Sequence, residues 1–171
     1  MTKLNLNSSK YCILTFHRQE NTNNKKNLEN ILQSLDIIDI PIVLPLHPRT
    51  KQKIYEFKLE KYLSKLIVCE PLNYFEMIKL TQAATLVITD SGGLQKESYL
   101  NKVPCLTIKE TTEWVESVDS GWNLVSNPEN KESLKEGIYQ QLNFDKKSFH
   151  PELYGNGFAS KEIVDHIIKK S

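Results

Sequence analysis

Leu86-Val87-Ile88-Thr89-Asp90-Ser91-Gly92-Gly93-Leu94-Gln95-Lys96-Glu97 runs from an apolar stretch through a Ser-Gly-Gly corner into residues of helical composition. A strand that turns through glycines into a helix leaves backbone N–H groups without intrahelical partners, aimed at one point. The helix dipole adds partial positive charge there, so the corner is suited to hold phosphate. Glu97 falls one helical turn beyond Gly93, where a carboxylate can accept hydrogen bonds from sugar hydroxyls. Together these features point to a nucleotide-sugar diphosphate site, with Ser91, Gly92 and Gly93 on the phosphates. Tight packing alone can require the same glycines. Asp90 reads as a brace or cap for the turn rather than as a base.

Outward from the corner, short apolar runs alternate with amphipathic segments. Strands are expected over residues 11–16, 42–46, 66–69, 86–89 and 103–108. Helices are expected over 28–35, 51–59, 74–81 and 94–100, then over 131–142 and 159–169 with an irregular stretch at 145–157. Continuous apolar strands alternating with helices indicate a parallel sheet covered on both faces. The fold class is therefore α/β, a single doubly wound Rossmann-like domain. In such a sheet ligands bind beyond the carboxyl ends of the strands. That rule collects His17-Arg18, His47-Pro48-Arg49, Ser91-Gly92-Gly93 and Glu110-Thr111-Thr112-Glu113 on one edge, since each follows a strand.

Composition narrows the partners. With 22 Lys and Arg against 21 Asp and Glu, the net charge of +1 gives no global pull toward nucleic acid or membrane. No apolar run approaches the ~20 residues that span a bilayer, and the N-terminal residues lack a signal-peptide core. A cytoplasmic location is expected by default. Cys12, Cys69 and Cys105 lie far apart in apolar runs, which argues against a disulfide framework or a zinc site. They read as small buried hydrophobes. No metal site and no dinucleotide fingerprint is legible.

Several blocks carry a resemblance. They are Thr15-Phe16-His17-Arg18-Gln19-Glu20-Asn21, Leu44-Pro45-Leu46-His47-Pro48-Arg49, and Thr89-Asp90-Ser91-Gly92-Gly93-Leu94-Gln95-Lys96-Glu97. Glu110-Thr111-Thr112-Glu113-Trp114-Val115-Glu116, Gly121-Trp122-Asn123 and Tyr154-Gly155-Asn156-Gly157 follow in order. From about Tyr11 to Ile168 the chain resembles the C-terminal half of the UDP-N-acetylglucosamine 2-epimerases, whose GT-B fold sets two Rossmann-like domains face to face. The resemblance implies one half of a GT-B fold, with residues 1–171 forming the C-terminal nucleotide-sugar-binding domain. It implies inversion of carbon 2 of the sugar in UDP-N-acetylglucosamine by elimination and re-addition of UDP, without a cofactor.

Carried over by position, the resemblance makes His17 the catalytic histidine near the departing diphosphate. It makes Ser91, Gly92 and Gly93 the diphosphate corner and Glu97 the acid that holds the ribose. Met77 falls where some relatives place an aromatic residue near uracil. Arg18 and His47 fall where bacterial enzymes bind a second, regulatory nucleotide sugar, and Glu113 belongs to the substrate-binding block. Trp114 stands where certain bacterial members have an arginine followed by proline, a departure that resembles the archaeal and uronic-acid-type branches.

The family's catalytic acids reside in the N-terminal domain, so the resemblance implies a partner: that domain or a separate subunit. Residues 2–10 read as the lead-in from the interdomain region, and the chain alone is expected not to epimerise. In GT-B proteins the last helix crosses back onto the N-terminal domain. The apolar face of Ile163, Val164, Ile167 and Ile168 is then expected to be uncovered here and to drive docking or a homodimer. Three classes stand open: half of a UDP-sugar epimerase, the nucleotide-binding half of a GT-B glycosyltransferase, and a non-catalytic UDP-sugar-binding subunit. Trp114 and Trp122 read as packing residues in all of them.

Overall fold

The computed structural model describes residues 10–170. Of the proposed lead-in over residues 2–10, all but Lys10 lies outside them. The chain runs β1 (Cys12–Thr15), α1 (Gln19–Thr22), α2 (Lys25–Ser34), β2 (Ile42–Pro45), α3 (Pro48–Glu56), β3 (Ile67–Cys69) and α4 (Tyr74–Gln82). It continues with β4 (Leu86–Thr89), α5 (Gly92–Leu100), β5 (Cys105–Ile108), α6 (Val115–Asp119), β6 (Asn123–Ser126), α7 (Lys131–Leu142) and α8 (Ala159–Lys170). Short 3-10 turns at Leu35–Ile37 and Glu60–Lys65 lead toward β2 and β3.

The strands pair in parallel in the order β3-β2-β1-β4-β5-β6. Chain order reverses between β1 and β4, which is the switch point where doubly wound sheets open a crevice. Both faces are covered, as the unbroken apolar strands predict. One core layer joins Leu14, Leu44, Ile88 and Leu106 to Leu28 and Ile31 of α2, Ile54 of α3 and Leu134 and Ile138 of α7. The other joins Ile13, Val43 and Val87 to Leu80 of α4 and Leu94 of α5. Gly137 lets α7 lie close on the sheet, since a Cβ there would stand 2.7 Å from Leu106 Cδ1.

Local chemistry sets the helix starts. Asn24 caps α2 by accepting from the Lys26 and Asn27 N–H groups. Asn73 and Glu76 form a reciprocal capping box on α4. α3 begins at Pro48, earlier than expected from periodicity, because proline is preorganised for a first turn and His47 caps it. Three elements escape the sequence signals. α1 and α6 are only 4 and 5 residues long, too short for a helical period. β6 is a sixth strand that begins with a buried Asn123, whose side chain accepts from Thr107 Oγ1 at 2.8 Å and donates to Ser117 Oγ at 3.1 Å. A polar residue satisfied inside the core removes the apolar run that would announce the strand.

The irregular stretch after α7 is held by an aromatic cluster. Tyr99 stacks on His150 with ring centroids 4.1 Å apart, and Trp122 meets His150 edge-on. The Tyr99 hydroxyl donates to the Pro151 carbonyl. Trp122 is 1% exposed and is a packing residue, as expected. Beyond this clasp, α8 carries its apolar face in the open, with Ile163 60% and Ile168 67% exposed. Cys12 and Cys105 are buried and Cys69 half-buried, all three as free thiols. Among the described residues no helix is long and apolar enough to cross a membrane.

Candidate nucleotide-sugar site

A cleft of about 310 Å³ opens at the carboxyl ends of β1, β2, β3 and β4. His17 comes from the loop after β1, His47 from that after β2, and Pro71, Leu72, Tyr74 and Met77 from the β3–α4 connection. Ser91, Gly93, Leu94 and Glu97 close it along the start of α5. Residues spaced by 80 positions in sequence thus meet because each ends a neighbouring strand.

The Ser91-Gly92-Gly93 corner turns from β4 into α5, the geometry its sequence reads. Ser91 is the N-cap of α5, and its Oγ accepts from the Leu94 N–H at 3.5 Å. The Ser91 N–H donates to Thr89 Oγ1 at 3.0 Å, and Thr89 Oγ1 also shares a 2.8 Å hydrogen bond with Thr15 Oγ1. Gly92 and Gly93 are then the first two residues of the helix, whose N–H groups have no intrahelical acceptor. The two glycines serve different ends. A Cβ on Gly92 would stand 3.3 Å from Trp114 Nε1, so packing explains that glycine. A Cβ on Gly93 would meet nothing nearer than Ser91 Oγ at 4.0 Å. Gly93 faces open space in the cleft, and a side chain there would occupy the room a ligand needs.

Glu97 follows one turn later on the same helix face, half-buried, and burial raises its pKa above the usual carboxylate value. Desolvation disfavours its charge, so a ligand that donates hydrogen bonds to it recovers what burial costs. Met77 forms part of the opposite wall, packed partly into the core, with Tyr74 one turn before it and 61% exposed.

His17 and His47 stand side by side across the mouth, ring centroids 5.7 Å apart. His47 Nδ1 accepts from the Arg49 N–H at 3.2 Å as the cap of α3. His17 Nδ1 lies 3.6 Å from Asp90 Oδ1. Asp90 is fully buried and accepts from the His17 N–H, the Arg18 N–H and Asn21 Nδ2, the shortest contacts being 2.9–3.0 Å to Oδ2. Asp90 therefore braces the loop after β1, whereas the turn into α5 is capped by Ser91.

The structure does not bring every expected residue to the cleft. Arg18 turns away, its Nε donating to the Asp90 carbonyl at 2.8 Å. Glu113 is exposed and pairs with Lys109 at 3.0 Å, which lowers its pKa. Trp114 lies under the Lys96 ammonium, 3.5 Å from its ring centroid, outside the cleft. Tyr74 and Leu72 were missed at the sequence level, and Asp90, read there as a brace for its own turn, braces the loop after β1 instead. The only signal for Asp90 was its place at the end of β4, opposite the His17 loop in a parallel sheet.

Compared with known proteins, residues 1–168 match the UDP-N-acetylglucosamine 2-epimerase family. The chain belongs to this family. It is 39% identical over 168 residues to the UDP-N-acetylglucosamine 2-epimerase homolog of Methanococcus maripaludis, which covers 96% of this chain and 46% of the relative. It is 38% identical to the UDP-2,3-diacetamido-2,3-dideoxy-D-glucuronate 2-epimerase of Pseudomonas aeruginosa, over 93% of this chain and 44% of the relative. The crystal structure of the Methanocaldococcus jannaschii UDP-GlcNAc 2-epimerase in complex with UDP-GlcNAc and UDP superimposes with a TM-score of 0.85 at 36% identity. That match covers 98% of this chain and 48% of the other. The chain thus spans about half the length of the family members it matches, and its Rossmann-like domain is one half of their GT-B fold.

Proposed function

We propose that this chain is the UDP-binding, C-terminal half of a UDP-N-acetylglucosamine 2-epimerase that interconverts UDP-GlcNAc and UDP-ManNAc. The observation that carries the reading is the single cleft in which the open helix start at Gly93, Glu97 and His17 converge. Family membership and the likeness to an enzyme bound to UDP-GlcNAc and UDP support it.

In this reading the Gly92 and Gly93 N–H groups and the Ser91 hydroxyl hold the diphosphate at the positive end of α5. Glu97 accepts from the ribose hydroxyls. Met77 lies along the uracil as an apolar wall, with Tyr74 beside it, and His47 lines the sugar side. The reaction removes a proton from carbon 2 and breaks the bond between carbon 1 and the diphosphate oxygen, whose electron pair leaves with UDP. Re-addition of UDP after a proton returns to the other face gives the epimer. His17 stands where negative charge grows on the leaving oxygen, and an imidazolium there stabilises it or donates a proton. The base for carbon 2 comes from a facing domain, and α8 is the element that docks on that domain. Arg18 and Glu113, engaged with the Asp90 carbonyl and with Lys109, take no part in this cleft.

The test is reconstitution with the N-terminal domain of the Methanocaldococcus jannaschii enzyme and detection of UDP-ManNAc from UDP-GlcNAc. His17→Ala should abolish turnover while leaving UDP bound. Normal turnover in that variant would remove His17 from the mechanism. Sugar transfer to an acceptor in place of epimerisation would favour the glycosyltransferase reading.

A further inference from the structure

We propose that Asp90 is the positioning residue of His17, holding the imidazole with its proton on Nδ1 so that Nε2 is the atom presented to the cleft. This rests on the reading of His17 given above and adds to it the atom that acts.

The hydrogen-bond inventory of Asp90 leads to this assignment. Its Oδ2 is filled by three donors: the His17 N–H at 3.0 Å, the Arg18 N–H at 2.9 Å and Asn21 Nδ2 at 3.0 Å. Its Oδ1 has only a long 3.2 Å contact with the same His17 N–H, which leaves acceptor capacity on that oxygen. His17 Nδ1 lies 3.6 Å from that oxygen. Asp90 is 0% exposed, and a carboxylate removed from water needs donors. The Arg18 guanidinium does not supply one, because its Nε donates to the Asp90 backbone carbonyl instead. An N–H at His17 Nδ1 answers the demand in both the neutral and the protonated ring.

The consequence is a division of labour within one ring. Nδ1 keeps its proton and faces the core, while Nε2 is free to carry or release one toward the diphosphate oxygen. Asn21, itself fully buried, fixes the carboxylate by donating to both Asp90 Oδ2 and the Ile108 carbonyl. Asp90 thus fixes both the backbone of the loop and the tautomer of the side chain it carries, as second groups commonly do for functional histidines.

His47 is a built-in control. Its Nδ1 accepts from the Arg49 N–H, so its neutral ring must carry the proton on Nε2. Two histidines 5.7 Å apart are therefore held in opposite tautomers. The experiment is nitrogen-15 imidazole NMR on the ligand-free 171-residue chain, at a pH where both rings are neutral. The expected spectrum places the unprotonated nitrogen at Nε2 in His17 and at Nδ1 in His47. In Asp90→Asn, His17 should revert to the Nε2–H form with His47 unchanged. Nε2–H at His17 in the wild type, or Nδ1–H that survives in a folded Asp90→Asn, would overturn the proposal. Should that variant fail to fold, the wild-type contrast between the two rings decides alone. The nucleotide reading is separated by adding UDP, which should move the His17 Nε2 resonance. No movement with the tautomers as stated would count against UDP binding and leave the role of Asp90 standing.

Discussion

Helices α5 and α8 teach opposite lessons about what an amphipathic pattern means. α8 has the plainer stripe, with Ile163, Val164, Ile167 and Ile168 on one face, yet every described residue of that helix is exposed. α5 has a poor stripe, yet Leu94, Gln95, Ser98 and Tyr99 are all buried. Its polar members lean on specific hydrogen bonds: Gln95 Oε1 accepts from Thr112 Oγ1 at 2.6 Å, while its Nε2 is buried without a partner, and Ser98 Oγ donates to the Leu94 carbonyl at 2.7 Å. Periodicity records that a face has to be covered, and α8 belongs to a chain half the length of its relatives. α5 instead serves the cleft with one face and the core with the other, which leaves little freedom to repeat a pattern.

That contrast can be broken by mutation. The largest effect is expected at Tyr99, 2% exposed between His150, Trp122 and Tyr154. Tyr99→Ala should cost about 3–5 kcal/mol in urea unfolding, the range for truncating a buried aromatic ring. A smaller and opposite change is expected at the other end of α5. Gly93→Ala meets no steric obstacle within 4 Å except Ser91 Oγ, and should stabilise the fold by about 0.4–1 kcal/mol by restricting the unfolded chain. The same variant should weaken UDP binding, because its methyl group enters the cleft. Stabilisation with unchanged affinity would place the phosphates elsewhere.

A pH series sharpens the functional side of α5. The folded pKa of Glu97 is raised by burial, so folding favours its protonated form. Below the unfolded pKa the group is neutral in both states and contributes no difference. As pH rises through the folded value, the ionised carboxylate becomes a liability of the folded state. Glu97→Gln removes that term, so the variant should gain on the wild type between mildly acidic and neutral pH while binding UDP more weakly. A wild type that gained on the variant over that range would mean that Glu97 is held by a donor in the ligand-free fold. The smallest effect belongs to α8. Ile163→Ser and Ile168→Ser should each change the stability of this chain by less than about 0.5 kcal/mol, and should weaken its association with a facing domain. A large loss of stability in the chain alone would show that α8 is already docked.

Much of the fold was legible because parallel strands bury both faces: Leu86-Val87-Ile88 and Val103 to Ile108 announce β4 and β5 without help from topology. β6 was hidden because Asn123 substitutes hydrogen bonds for apolar contact. In the cleft, Ser91, Gly93 and Glu97 could be placed together since they share one helix start. His17, His47 and Met77 joined them only through the resemblance and the strand-end rule, which says which edge a loop reaches but not where its side chains point. Arg18 and Glu113 illustrate that limit. Both sit on the right edge, and both turn to partners of their own, Asp90 and Lys109. Asp90 was read as a brace for its own turn because sequence neighbours are visible and cross-strand neighbours are not.

The account stands on a preformed half-site, and calorimetric titration of this chain with UDP tests it most directly. Binding by the wild type, weakened by about 1–3 kcal/mol in Glu97→Ala as a charge-assisted hydrogen bond is lost, is the predicted result. A folded wild type that takes up no UDP, or a variant that binds it equally well, would contradict the account.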